Sequence, residues 1–201
     1  VNMIKCNVTV CGIINYSAVV RESKDGHKFL TFGVFVPLEG KDGTGAELQI
    51  HVSAEGDAGT KSQYSTGRHV LINGNLMVRA SERGNYYNLR AENIEFCKST
   101  ENYRISGSMN FKGKIHDDVK EHPGKSGKTF QTFSGFSSDK DGDKVYFSWV
   151  RFLSPTVIDA ECFGKGKYVE VSGDFTINIF KCNINLECRI NDIKEWKLPV
   201  K

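Results

Sequence analysis

No stretch of this 201-residue sequence stays apolar for anything near the roughly 20 residues that a membrane-spanning helix needs. It also lacks a positively charged start followed by an apolar run and a small-residue cleavage site, so the expectation is a cytoplasmic protein with no membrane partner. Metal-binding patterns are missing as well. None of the six cysteines (Cys6, Cys11, Cys97, Cys162, Cys182, Cys188) forms a C-x-x-C pair or has a histidine at ligand spacing, which points to buried thiols rather than zinc or disulfides. The five histidines are scattered, H-E-x-x-H and G-x-S-x-G do not occur, and the carboxylates lie mostly in turns. No nucleophile, base or metal constellation can be assembled, so neither an enzyme nor a cofactor is expected. A magnesium-dependent nuclease would need clustered acids. "GKSGKT" (Gly124–Thr129) misses the P-loop pattern and "DKDGDK" (Asp139–Lys144) lacks the closing glutamate of a calcium loop, so both read as hairpins. A large excess of one charge is absent too. The net charge is +3, with 11 basic and 10 acidic residues up to Thr100 and 16 against 14 after it. A polyanionic partner would therefore have to be met by local arrangement rather than bulk attraction.

Helical periodicity is nearly absent, whereas short alternating runs are frequent: "VTVCGII", "KFLTFGVFV", "ELQIHV", "HVLINGNLMV", "YYNLRAENI", then "RISGSMN", "TFQTFSGF", "YFSWVRF", "YVEVSGDFTINI" and "NINLECRI". These are ten expected strands in two sets of five. Between them lie turn-forming clusters such as "ESKDGHK", "EGKDGTGAE", "ERGN", "EHPGKSGK" and "SSDKDGDK". The sequence also repeats itself. Gly12 is matched to Gly107, G-x-x-F-x-T-F occurs at Gly26–Phe32 and Gly127–Phe133, and Gly67, Val70, Gly74 and Ile94 answer to Gly166, Val169, Gly173 and Ile193. Order and spacing are kept, which implies a duplicated module. The expected domains are 1–98 and 103–201, joined by the polar "KSTENY". Five strands in about 95 residues, with a longer connection between the third and fourth (Ser53–Gly67 and Leu153–Lys165), suit an all-β chain of two tandem five-stranded OB-fold barrels. Either connection has room for a short helix. A β-sandwich is the alternative, although neither the strand count nor a Cys…Trp…Cys spacing supports it.

Strand alternation sorts side chains into interior and outer faces. Leu30, Phe32, Val34 and Val36 form an interior series, leaving Phe29, Thr31 and Phe35 outside; Phe130 and Phe136 fall on the same outer positions in the second copy. On the third strand, Tyr146, Val150 and Phe152 can face the core while Phe147, Trp149 and Arg151 share the opposite face, where the first copy has Gln49 and His51. Arg79, Tyr86 and Arg90 in the first copy, and Lys128, Phe180 and Arg189 in the second, fall on compatible faces. Burying a phenylalanine stabilises by roughly 1.5–3 kcal/mol, so outward-facing rings await a cover. Rings interleaved with Arg and Lys are the combination that holds single-stranded nucleic acid, bases stacking while cations follow the phosphates. The competing expectation is a non-enzymatic protein-interaction module of a replication or plasmid-transfer assembly, its rings packed between barrels or on a second chain.

"GRHVLINGNL" with "RAENIEF", and "GKYVEVSGDF" with "RINDIKEW", resemble the bacterial single-stranded-DNA-binding protein family, whose fourth strand carries a glycine-x-x-valine-x-x-x-glycine run and whose last strand ends in an acidic, apolar, aromatic phrase. "NVTVCGII" and "SKDGHKFLTFGVFV" are similar to the family's first two strands, and the likeness runs twice along nearly the whole chain. The resemblance implies OB-folds that coat single-stranded DNA, or RNA, without sequence preference, in replication, recombination or repair. It implies roles for Phe35, Phe136, Trp149, Arg151 and Arg79. Members typically have one OB-fold per chain, form tetramers and end in an acidic tail. This chain carries two modules and stops at the basic "KEWKLPVK", which implies a monomer or homodimer.

Overall fold

The computed structural model describes residues 4–98, 102–124, 127–158 and 163–197, so the boundary segment around 99–101, Cys162 and the last four residues lie outside it. Among the described residues eleven strands form: β1 (Ile4–Glu22), β2 (Lys28–Glu39), β3 (Gly45–Glu55), β4 (His69–Ser81), β5 (Gly84–Phe96), β6 (Arg104–Ile115), β7 (Lys120–Pro123), β8 (Thr129–Asp141), β9 (Lys144–Ser154), β10 (Tyr168–Phe180) and β11 (Asn183–Glu195). Among the described residues no helix is long and apolar enough to cross a membrane.

Pairing closes twice. In the first module β1 pairs with β2, β2 with β3, β3 in parallel with β5, β5 with β4, and β4 with β1 again. In the second, β6, β8, β9, β11 and β10 repeat that order, with β9 and β11 parallel. This is the strand order of an OB barrel, and a sandwich of two separate sheets is excluded. The alternating pattern places Leu30, Phe32, Val34 and Val36 of β2 inside one barrel. Phe111, Phe133 and Phe152 fill the other, where Phe152 meets Phe111 edge-on at 4.9 Å and stacks on Phe133 at 5.0 Å. Each such ring contributes roughly 1.5–3 kcal/mol through burial alone.

Two corrections to the sequence reading follow from register. "EHPGKSGK" is not all turn, because Lys120–Pro123 forms an eleventh strand against β8 (Lys120↔Thr132, His122↔Phe130). It corresponds to the distal half of β1, which pairs Val19 with Thr31 and Arg21 with Phe29. One long bulged strand in the first module is thus two in the second, interrupted at His116–Val119, and Pro123 is tolerated as the end of an edge strand. The second correction concerns Gly107. Val8 faces Gly74 and Met109 faces Gly173, so Val8 and Met109 are equivalent and Gly12 corresponds to Gly113. A Cβ at Gly12 would meet the Phe35 carbonyl oxygen at 2.7 Å, and one at Gly113 the Phe136 oxygen at 2.3 Å.

Gly107 serves elsewhere. β1 and β6 run antiparallel along a seam in which Asn7 faces Ser108, Val8 faces Gly107, and Ile4 and Cys11 face Phe111 and Arg104. Asn7 and Ser108 are equivalent positions, so the two modules are related by an approximate two-fold axis through that pair. The seam makes β5-β4-β1-β6-β10-β11 one continuous sheet. Cys6, Cys11 and Cys188 are buried as expected, but Cys97 is half-buried and Cys182 is exposed in a turn. The connection from β3 to β4 holds a short 3₁₀ turn at Lys61–Gln63. Its counterpart after β9 includes residues 159–162, outside the described set.

Candidate nucleic-acid interface

The outer face of β8 and β9 gathers rings because adjacent antiparallel strands present opposed residues side by side. Phe136 lies opposite Trp149, Ser138 opposite Phe147 and Ser134 opposite Arg151. The Phe136 ring is 5.2 Å from both Phe147 and Trp149. Phe147 and Trp149 remain 48% and 47% exposed. His116, which the strand pattern did not single out, adds a fourth ring, edge-on to Trp149 at 4.8 Å and 6.2 Å from Phe136. It sits in the interruption between β6 and β7, held there by two bonds. The His116 N–H donates to the Ser134 carbonyl at 2.9 Å, and the Ser134 N–H donates to Asp117 Oδ1 at 2.6 Å.

Phe147 and Trp149 line a groove of about 1130 Å³ together with Arg151, Phe180, Arg83 and Asn85, while Phe136 and His116 touch Trp149 from outside that lining. Arg151 pairs loosely with Glu187 at 3.7 Å and keeps most of its side chain in solvent. Phe180 is 54% exposed, with Lys181 Nζ 5.2 Å above its ring. Arg83 and Asn85 belong to the first module. Its β4–β5 hairpin crosses the seam: the Ala80 N–H donates to Asp139 Oδ2 at 2.8 Å, Ser148 Oγ donates to Asn85 Oδ1 at 2.8 Å, and Lys144 pairs with Glu82 at 3.3 Å. Near that anchor Arg79 approaches Asp139 at 3.9 Å.

The β10–β11 hairpin of the second module returns the contact. The Lys181 N–H donates to Asp42 Oδ2 at 3.2 Å and the Cys182 N–H to Thr44 Oγ1 at 3.4 Å. The Thr44 hydroxyl, above all, with the Lys181 and Thr44 N–H groups, holds the Asp42 carboxyl below the usual carboxylate range.

The remaining predicted residues are spread more widely. In the first module, His51 and Tyr86 approach at 6.3 Å, and Tyr86 lies opposite Arg79 in the β4–β5 ladder. Phe35 lies opposite Gln49, while Phe29 and Arg90 line a separate pocket beside Tyr64. In the second module, Phe130 stacks on His122 at 5.1 Å, covered by the β7 hairpin rather than open. Lys128 stands at the tip of that hairpin, bracketing its turn through the bond from the Gly124 N–H to the Lys128 carbonyl. Arg189 follows Glu187 along β11 and lies outside the groove lining. Sequence alternation thus assigned outward faces correctly, but a shared outward direction did not make these residues neighbours.

No protein-family model matches the sequence, and no curated protein does. Among solved structures, the chain is similar to the wild-type single-stranded DNA binding protein from Thermus aquaticus, with 12% identity, coverage of 98% of this chain and 95% of that one, and a TM-score of 0.48. It is also similar to the small single-stranded DNA-binding protein from Streptomyces coelicolor (20% identity, 50% of this chain and 97% of that one, TM-score 0.37). A third is the mitochondrial single-stranded DNA binding protein Rim1 from S. cerevisiae (18% identity, 45% and 93%, TM-score 0.36).

Proposed function

We propose that this chain binds single-stranded DNA with little dependence on base sequence, as a non-enzymatic protein of DNA replication, recombination or repair. The observation that carries the reading is the contiguous cluster of Phe136, Phe147, Trp149 and His116 with Arg151 and Arg83 at its margin. Two half-exposed large rings forgo part of the roughly 1.5–3 kcal/mol that burial of each would supply, so a ligand that covers them recovers it. A base does so by stacking, worth about 1–3 kcal/mol, and any base can because each has a π-face. The arginines then meet the phosphates. Those cations favour a polyanion over an apolar protein segment as the occupant, and the net charge of +3 leaves the attraction to this local arrangement.

The test is a fluorescence titration with oligo-dT in a Trp196→Phe background, which leaves Trp149 as the tryptophan reporter. Quenching is expected, with affinity falling against log salt at a slope of about −0.7 per phosphate contact. Trp149→Ala should cost about 1–3 kcal/mol of binding, read by anisotropy of a labelled strand. Absence of both quenching and salt dependence would sink the proposal. Oligo-U in parallel reads the preference between DNA and RNA.

A further inference from the structure

We infer that the two modules load unequally: a short single strand binds first in the groove of the second module, one strand per chain, with the β4–β5 hairpin of the first module serving as its wall. The inference rests on the nucleic-acid reading above and concerns how that site is divided.

The two outer faces differ position by position. Phe35 and Phe136 are equivalent, and their cross-strand partners are Gln49 and Trp149. Two residues to either side along the same strands, Glu47 stands where the second module has Phe147, and His51 where it has Arg151. A ring, a ring and a cation in one copy are therefore a carboxylate, an amide and an imidazole in the other. The difference extends to the supporting residue. Asn15 is the counterpart of His116, and in the first module Gln49 Nε2 donates to Asn15 Oδ1 at 3.2 Å, whereas in the second the same two positions are His116 edge-on to Trp149. The amide pair satisfies itself and offers no π-face. Of the first module's own exposed rings, Tyr16 reaches the same point over Gly33 as that pair, and Tyr86 lies 6.3 Å from the His51 ring. The Glu47 carboxylate adds repulsion toward phosphate where Phe147 adds a stacking surface.

Three anchors hold the β4–β5 hairpin against β8 and β9 (Ala80 to Asp139, Ser148 to Asn85, Lys144 to Glu82), and together they bring Arg83 and Asn85 to the rim of the aromatic groove. The groove thus has a floor from one module and a wall from the other, which suits one strand threaded between them.

The experiment is a titration of the whole chain, in the Trp196→Phe background, with a strand of roughly eight thymidines, within the range one barrel spans, and with one of roughly thirty. The short strand is expected to saturate Trp149 quenching at one strand per chain. Arg83→Ala should weaken it several-fold with an unchanged circular dichroism spectrum, and Trp149→Ala, read by anisotropy of a labelled short strand because the reporter is gone, should weaken binding at least tenfold more than Tyr86→Ala does. As a gain-of-site variant, Glu47→Phe combined with Gln49→Trp should raise short-strand stoichiometry toward two, so the inference stays testable even if Trp149→Ala does not fold. Two short strands per wild-type chain with comparable affinity, or equal losses in Trp149→Ala and Tyr86→Ala, overturn unequal loading while leaving DNA binding intact. Failure of the wild-type chain to bind either length overturns the function itself, and unequal loading with it.

Discussion

Gly107→Ala tests the seam on which the composite groove depends. A Cβ at this position would lie 1.9 Å from the Asn7 carbonyl oxygen and 2.8 Å from both the Asn7 carbonyl carbon and the Val8 Cα. All three atoms are main chain of β1, so no side chain can turn aside to make room. Since real Cβ contacts stay beyond 3.0 Å, β1 and β6 would have to part locally by about 1.1 Å, against a normal strand spacing of about 4.8 Å. Ladder hydrogen bonds stretched that far are lost. Inserting a methyl group into a packed region costs about 1–3 kcal/mol, and an immovable obstacle places this case at about 2–3 kcal/mol. For a chain of this size each kcal/mol moves Tm by about 2–4 °C, so scanning calorimetry should show a fall of roughly 4–12 °C. Gly26→Ala is the comparison. Nothing lies within 4 Å of its Cβ and its φ is +79°, so it bears only the left-handed backbone cost of about 1 kcal/mol. A Gly107→Ala protein that melts no lower than Gly26→Ala would refute the close seam.

Asp139→Ala should cost about 1–3 kcal/mol, because it strips the acceptor from the buried Ala80 N–H, and Asp139→Asn, which keeps an acceptor, should recover most of it in thermal melts. Arg151→Ala should reduce the slope of log affinity against log salt by about 0.7 in oligo-dT titrations, the share of one phosphate contact. Stability should decline in alkali. Burial, with a smaller contribution from Cys188, pushes the Cys6 thiol up to about 12, and burial does the same for Cys188. A thiol whose folded pKa is raised stays protonated in the native state while the unfolded chain loses its proton above about pH 9. The contribution is therefore fully present below that pH and is lost between about 9 and 12. Tm measured from pH 7 to 10.5 should fall, and less steeply in Cys188→Ala. In line with exposure, Cys182 should be alkylated before Cys6 or Cys188 in mass-mapped labelling.

Much of the barrel was legible in the chain because β-strand geometry is local. Alternation in "KFLTFGVFV" and "VYFSWVRF" placed Leu30, Phe32, Val150 and Phe152 inside and Phe35, Phe147 and Trp149 outside, as the structure does. The glycines matched where each met a backbone demand. Gly67 and Gly166 both take left-handed φ, +89° and +86°. Gly74 and Gly173 both sit where a Cβ would strike an arginine carbonyl oxygen, at 2.2 and 2.0 Å. The match of Gly12 to Gly107 failed because identity along a strand does not reveal what the neighbouring strand brings close. His116 escaped notice because it lies in an interruption, where no alternation assigns a face. Lys128 falls in the turn before β8, where alternation assigns no face, and Arg189 lies outside the groove lining.

The sequence alone determined that the chain is built of strands, that its module is written twice, and which side of each strand is apolar, since these follow from a two-residue period and from where only glycine fits. Tertiary structure decided that β1 and β6 join the modules through a two-fold seam, and that a hairpin of the first module walls the aromatic face of the second. It decided too that Asn15 and Gln49 bond to each other where His116 and Trp149 form ring contacts. Those features depend on register and distance between segments remote in the chain, and no local pattern encodes a partner that folding alone brings near.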